Sequence, residues 1–282
     1  MRIRVAAQNM QHDATADEAG RPEDRWPLLV QRLQRIEPDI LLLSEVRGWA
    51  AHGHRQLCVA QRELGMYAMP IPHSNSGNPT VIMFRPDTMG MPMYYNNDLS
   101  AQTLHGFATA SFTVANDLPP MTFAAVHLSP YSVHTAVAEA DLIATRAYRH
   151  GPLAIVAGDA NFAPHAGPDP DYQAMRPYNL AARTYVDSDG RRHPRREVAQ
   201  AFVDRDYVDV AWRLCEQTGD DALLRRTASD DRIDRIYCSG ATADAWSNHQ
   251  RLDSPARASD HDGVAADVDT DTISRAGLWT YR

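Results

Sequence analysis

Leu153-Ala154-Ile155-Val156-Ala157-Gly158-Asp159-Ala160-Asn161 decides the fold: an apolar run, a glycine, then a carboxylate and an amide two positions apart. The run is too short for a typical helix and carries β-branched residues, so it reads as a buried strand. Gly158 is expected to let the backbone turn sharply at its end. Asp159 and Asn161 then present an anionic base and a neutral donor or acceptor at the strand's mouth. The same pair also suits an ordinary turn in which each side chain bonds its own backbone. The rest of the chain decides between the two.

Upstream of this strand, Val133 to Tyr148 has helical spacing, and Thr80 to Phe84, Phe107 to Val114 and Met121 to His127 are strand-like. At the start, residues 3–9 alternate as a strand and Gln11 to Arg25 form a polar loop. Pro27 opens a helix with Leu29, Leu33 and Ile36 on one face, which Glu37-Pro38 closes. Asp39 to Ser44 is a second buried strand, so this strand, helix, strand order suggests neighbouring strands covered by helices. A helix is expected from His54 to Leu64 and a loop from Pro70 to Pro79.

Downstream, residues 162–230 are the least regular part, with Pro164, Pro168, Pro170 and Pro177 and the cluster Arg191-Arg192-His193-Pro194-Arg195-Arg196. That cluster reads as a solvated loop, or else as a contact to a phosphate backbone. Helical patterns around Val208 to Leu214 and Ala222 to Arg225 precede strands at Arg232 to Cys238 and Gly263 to Val268. No repeat or low-complexity linker divides the chain, so a single α/β domain over residues 1–282 with two β-rich halves is expected.

Composition narrows the chemistry. Hydrophobic residues at 44% and charged ones at 23% describe an ordinary globular protein. There is no lysine, so all 28 basic residues are arginine, which excludes a P-loop, a Schiff base, pyridoxal chemistry and a Ser/Lys hydrolase. Every cationic contact is instead a planar guanidinium fork suited to phosphate or carboxylate. The formal net charge of -8 argues against coating nucleic acid by bulk electrostatics, though not against a local site made attractive by a metal ion. Cys58, Cys215 and Cys238 are widely spaced and odd in number, as expected of thiols in a reducing compartment. No apolar run approaches a membrane span and no signal-like segment is seen, so a cytoplasmic location is expected.

Several apolar runs end in a residue of catalytic type: Asn9, Glu45, His127, then Asp159 and Asn161. Asp234 stands in the penultimate strand and Asp260-His261 just before the last. In layered α/β proteins the strand ends on one edge form the floor of a site, and this set reads as a metal-assisted acid/base centre.

Asn9, Ser44-Glu45-Val46-Arg47, Val126-His127-Leu128-Ser129-Pro130, Gly158-Asp159-Ala160-Asn161, Asp234-Arg235-Ile236 and Ser259-Asp260-His261 stand in the order of one family's motifs. On these residues, which span nearly the whole chain, the protein resembles the endonuclease/exonuclease/phosphatase superfamily, the DNase I-like fold. The resemblance implies an α/β fold: a four-layer α/β sandwich of two packed mixed β-sheets flanked by helices. It implies Mg²⁺ or Mn²⁺ held by Glu45 with Asn9 and Asp260, and no organic cofactor. Asp234 would orient and charge His261, Asp159 would be the rival base, Asn161 would stabilise the transition state and His127 would protonate the leaving oxygen.

The pattern departs from members that cut at abasic sites, which carry an acid where this chain has Gln11 and a tyrosine where it has His127. Two histidines place it nearer the DNase-type and sphingomyelinase-type branches, and Arg47 resembles the DNase-type arginine that touches nucleic acid. Ser44 stands where the family usually has glutamine, and the acidic partner of His127 is not evident, with Asp87 and Glu139 as candidates on sequence order. The expected function is therefore a metal-dependent phosphodiesterase, an endonuclease with nucleic acid as partner and no membrane span. The alternatives are a phosphatase or phosphodiesterase for a small phosphorylated metabolite, nucleotide, inositol phosphate or lipid headgroup, and a catalytically silent binding module.

Overall fold

The computed structural model describes residues 1–17 and 21–280. In chain order its first strands are β1 (Arg2–Asn9), β2 (Ile40–Ser44), β3 (Tyr67–Ala68), β4 (Val81–Phe84), β5 (Tyr94–Asn96), β6 (Thr109–Phe112) and β7 (Met121–His127). They are followed by β8 (Ala154–Asp159), β9 (Thr184–Val186), β10 (Arg192–Pro194), β11 (Tyr207–Asp209), β12 (Asp234–Ser239), β13 (Trp246–Leu252) and β14 (Gly263–Asp269). The helices are α1 (Trp26–Ile36), α2 (Arg55–Leu64), α3 (Pro86–Met89), α4 (Val133–Ala147), α5 (Pro177–Arg183), α6 (Glu197–Val203) and α7 (Val210–Thr218).

Two mixed six-stranded sheets, ordered β13-β14-β1-β2-β4-β3 and β11-β12-β8-β7-β6-β5, carry the fold. Each has one parallel pair, β1 with β2 and β7 with β8, while the other pairings are antiparallel. A parallel pair needs a long crossover, and α1 and α4 supply it.

These central strands are apolar on both faces because both faces are covered. Along β2, Ile40 and Leu42 point between the sheets, whereas Leu41 and Leu43 pack under α1 and α2 with Leu29, Leu33 and Leu57. Along β8, Ile155 and Ala157 join the inter-sheet core, whereas Ala154 and Val156 meet Ala140 and Ile143 of α4 and Phe202 of α6. Helix, sheet, sheet, helix is the resulting four-layer order, as expected from sequence.

Several details differ from the sequence reading, which did not foresee the short strands β3, β5 and β11 or the helices α5 and α6. Gly158 does not turn the chain: it lies inside β8, where an added Cβ would stand 2.2 Å from the Val126 carbonyl oxygen, so close strand contact requires the glycine. The turn falls at Asn161, with φ 59. Trp246–Leu252 forms an edge strand that the sequence reading missed, because its alternating face is polar and it holds no β-branched residue. The arginine cluster is partly ordered as the hairpin β9-β10, with Arg192 bonded to Thr184 and Arg196 to Asp169 at 2.7 Å.

Candidate active site

The two parallel pairs end side by side. Asn9 pairs with Ser44 at the end of β1 and β2, and His127 with Asp159 at the end of β7 and β8, which presents four polar groups at one edge of the sandwich. Asn9 joins the sheets: its Nδ2 donates to Glu45 Oε1 at 3.1 Å and to Asp159 Oδ2 at 3.2 Å, and its Oδ1 accepts from the Gln11 amide at 2.9 Å.

Glu45, with φ 59, turns the chain out of β2. Residues 11–14 wrap it in a run of positive φ values, 46, 55, 64 and 62. Left-handed residues cost about 1–2 kcal/mol each relative to right-handed ones, and here the run aims one amide at the Glu45 carboxylate and another at its carbonyl. The His12 amide donates to Glu45 Oε2 at 3.0 Å and the Asp13 amide to the Glu45 carbonyl at 2.9 Å. Burial alone would raise the Glu45 pKa, but His127, the His12 amide and Asn9 outweigh it and lower it.

His261 arrives on the turn before β14, where Ser259 Oγ donates to the Asn9 carbonyl at 2.9 Å and accepts from the His261 amide at 3.1 Å. Its Nδ1 lies 2.8 Å from Asp234 Oδ2, and its Nε2 faces Asp159 Oδ2 and Asp260 Oδ1, each at 3.9 Å. Burial opposes the imidazolium, yet Asp234, Asp159 and Asp260 overcome it and raise the His261 pKa well above its ordinary value. Asp234 itself is buried at the start of β12, opposite Asp159 in register.

His127 is held differently. Its Nε2 faces Asp159 Oδ2 at 3.6 Å and Glu45 Oε1 at 3.9 Å, while its buried Nδ1 has no hydrogen-bond partner among the described residues. Its ring lies on His105, centroids 3.7 Å apart and planes within 7°. His105 bonds Ser76 Oγ at 2.7 Å, and burial, then the neighbouring His127, push its pKa down to about 2. Neither candidate acid bonds His127: Glu139 accepts from the Leu104 and Ser129 amides, each at 2.7 Å, and Asp87 sits in α3, outside the cleft lining.

Asn161 completes the floor. Its backbone amide donates to Asp159 Oδ1 and its Nδ2 to the Leu128 carbonyl, both at 2.8 Å, and Arg183 Nη2 donates to its Oδ1 at 2.7 Å. Glu45, His127, Asp159, Asn161, Asp260 and His261 thus line one cleft of about 1350 Å³, backed by the buried Asn9 and Asp234. Arg47 is exposed beyond Val46 and does not line it. His12, His105 and Arg183 do line it, and the sequence reading missed them because no spacing ties them to the motifs. Among the described residues no three His, Cys, Asp or Glu side chains form a group that could hold a metal ion.

With this geometry in view, a family model described as Endonuclease/Exonuclease/phosphatase family matches residues 7–261. The chain belongs to that family. No curated protein sequence matches this family member. Its structure is similar to a 3' phosphatase NExo from Neisseria bound to a product DNA hairpin, at 18% identity and TM-score 0.64, covering 95% of this chain and 99% of that one. An AP endonuclease from Archaeoglobus fulgidus is similar at 14% identity and TM-score 0.64, over 95% and 100% of the two chains. The human Nocturnin catalytic domain with bound sulfate is similar at 18% identity and TM-score 0.60, over 95% and 93%. At these identities the likeness is one of fold, and it matches the four layers described above. No helix among the described residues is long and apolar enough to cross a membrane.

Proposed function

We propose that this family member is a divalent-metal-dependent phosphodiesterase that cuts nucleic acid by attack of water. The observation that carries the reading is the position of Asp159 Oδ2, within 3.2 Å of Asn9 Nδ2, 3.6 Å of His127 Nε2 and 3.9 Å of His261 Nε2. A carboxylate oxygen ringed by polar nitrogens, beside two further carboxylates on an open cleft, suits proton transfer around a phosphate.

Glu45 and Asp260 would hold Mg²⁺ or Mn²⁺, since a hard cation of this kind is bound by one or two carboxylates, with water and substrate oxygens filling the remaining positions. Asn9 turns its amide nitrogen toward Glu45, so it serves that site by holding the carboxylate. When bound, the cation neutralises phosphate charge and favours attack at phosphorus.

Asp159 takes the proton of the attacking water. His261, charged by Asp234, presents Nε2 to a phosphoryl oxygen. His127 gives its Nε2 proton to the leaving oxygen, a role worth about 10² to 10⁴ in rate. Asn161, with one amide hydrogen on Leu128, directs the other toward the charge that develops on the phosphoryl group. Solvent exchange then restores the protons, and no covalent intermediate is required.

A small phosphorylated metabolite is the second reading. It is favoured by the arginines of the cleft lining, Arg176 and Arg183, which are few for gripping a polyanion, and by the net charge of -8. Turnover of plasmid DNA, RNA, bis(4-nitrophenyl) phosphate and a panel of phosphomonoesters with Mg²⁺ or Mn²⁺ separates the two. The expected result is diester cleavage that EDTA abolishes and that Asp159→Ala and His261→Ala lose. Turnover confined to monoesters supports the second reading, and no metal-dependent turnover at all leaves a binding module.

A further inference from the structure

The irregular stretch 162–230 reaches the catalytic floor through Thr227, whose Oγ1 accepts from the Asp234 amide at 2.9 Å, and through Arg183. Arg183, the last residue of α5, is 6% exposed, and its Nη2 donates to Asn161 Oδ1 at 2.7 Å. We propose that Arg183 is a positioning residue, which holds the carbonyl end of the Asn161 amide so that its nitrogen end stays aimed into the cleft. The proposal rests on the phosphoesterase reading for its consequence in rate.

The two ends of an asparagine amide are nearly equal in shape, so hydrogen-bond partners decide which faces where. A guanidinium only donates and therefore selects the oxygen. The Leu128 carbonyl only accepts and selects the nitrogen, at 2.8 Å. The two clamps agree, one from each side, and a flip of the amide would break both. A charge-assisted donor on the oxygen also polarises the amide and strengthens its N–H groups as donors.

Arg183 acts through Asn161 and does not itself reach for substrate. Its Nη2 is committed, its buried Nε has no partner among the described residues, and its Nη1 lies 3.8 Å from the buried Asp230. A buried guanidinium with a donor left unpaired costs stability, so packing alone does not account for it.

The test is a double-mutant cycle on bis(4-nitrophenyl) phosphate with Mg²⁺, using Arg183→Ala, Asn161→Ala and the pair. We expect Arg183→Ala to lower kcat by about 10- to 10²-fold with KM nearly unchanged, and millimolar guanidinium to restore part of the rate. In the Asn161→Ala background the same change should lower kcat less than about twofold, because residues acting as one unit are not additive. Arg183→Lys carries the cycle if the alanine variant does not fold. A second readout needs no turnover: the ¹⁵N-resolved side-chain amide signals of Asn161 should shift and lose exchange protection in Arg183→Ala and in Arg183→Lys. Multiplicative losses, or unmoved Asn161 signals, overturn the proposal. An inactive wild type with Asn161 signals that still respond to Arg183 refutes the phosphoesterase reading and leaves the positioning intact.

Discussion

The two walls of the cleft each present a histidine Nε2 to the same oxygen of Asp159, at 3.9 Å from His261 and 3.6 Å from His127, and hold that histidine by opposite means. His261 is backed by a buried carboxylate at 2.8 Å, which favours its charged form. His127 is backed by a stacked neutral imidazole, and its Nδ1 has no hydrogen-bond partner among the described residues. One wall stores a charge, while the other holds its ring by stacking. In the proposed mechanism that division separates a fixed clamp from a group that must give its proton away.

The largest effect is expected at the shared oxygen: Asp159→Asn should lower kcat by about 10⁴-fold on bis(4-nitrophenyl) phosphate, measured at saturating Mg²⁺. Asp234→Asn should follow, at about 10³-fold in kcat, since His261 loses the carboxylate that favours its charge. If it costs no more than His105→Phe, which should lower kcat by about tenfold or less because the stacked ring is kept, the two walls are equivalent and the distinction fails.

His105 gives the comparison a pH signature. Its folded pKa of about 2 lies below the ordinary 6.5, so between these values the unfolded chain binds the extra proton. The stability it contributes is therefore complete above pH 6.5 and is lost as the pH falls toward 2. Denaturant unfolding from pH 4 to 8 should show His105→Phe with a shallower acid slope, by up to about 1.4 kcal/mol per pH unit. An unchanged slope would mean that His105 is not held neutral. The smallest effect belongs to Arg47, exposed and outside both walls. Arg47→Ala should raise KM for duplex DNA by about two- to threefold, and a change of a hundredfold would require a substrate path that passes over it.

Both ends of the comparison were unequally legible. His261 and Asp234 each sit on a motif of the family resemblance, which implied their pairing. His105 and Arg183 sit on segments with no spacing relation to the motifs, and only the path of the chain brings them to His127 and Asn161. Glu139 was a candidate for the wrong bond: the helix α4 carries it to the Leu104 and Ser129 amides. Sheet edges were hard to read for a related reason, since a strand with one solvated face, such as Trp246–Leu252, lacks the apolar signature of a doubly covered one.

The sequence alone carries the central buried strands, the helices α1, α2, α4 and α7, and the polar residues at the strand ends. Those follow from local periodicity and from burial on both faces, which every short window of the chain expresses. How those ends are used depends on packing: Gly158 lets two strands touch, Asn9 donates to both Glu45 and Asp159, and an arginine from the irregular region clamps Asn161. The physical reason is range. Secondary structure is set by neighbours a few residues away, whereas a hydrogen-bond partner is set by whichever element packing brings within about 3 Å.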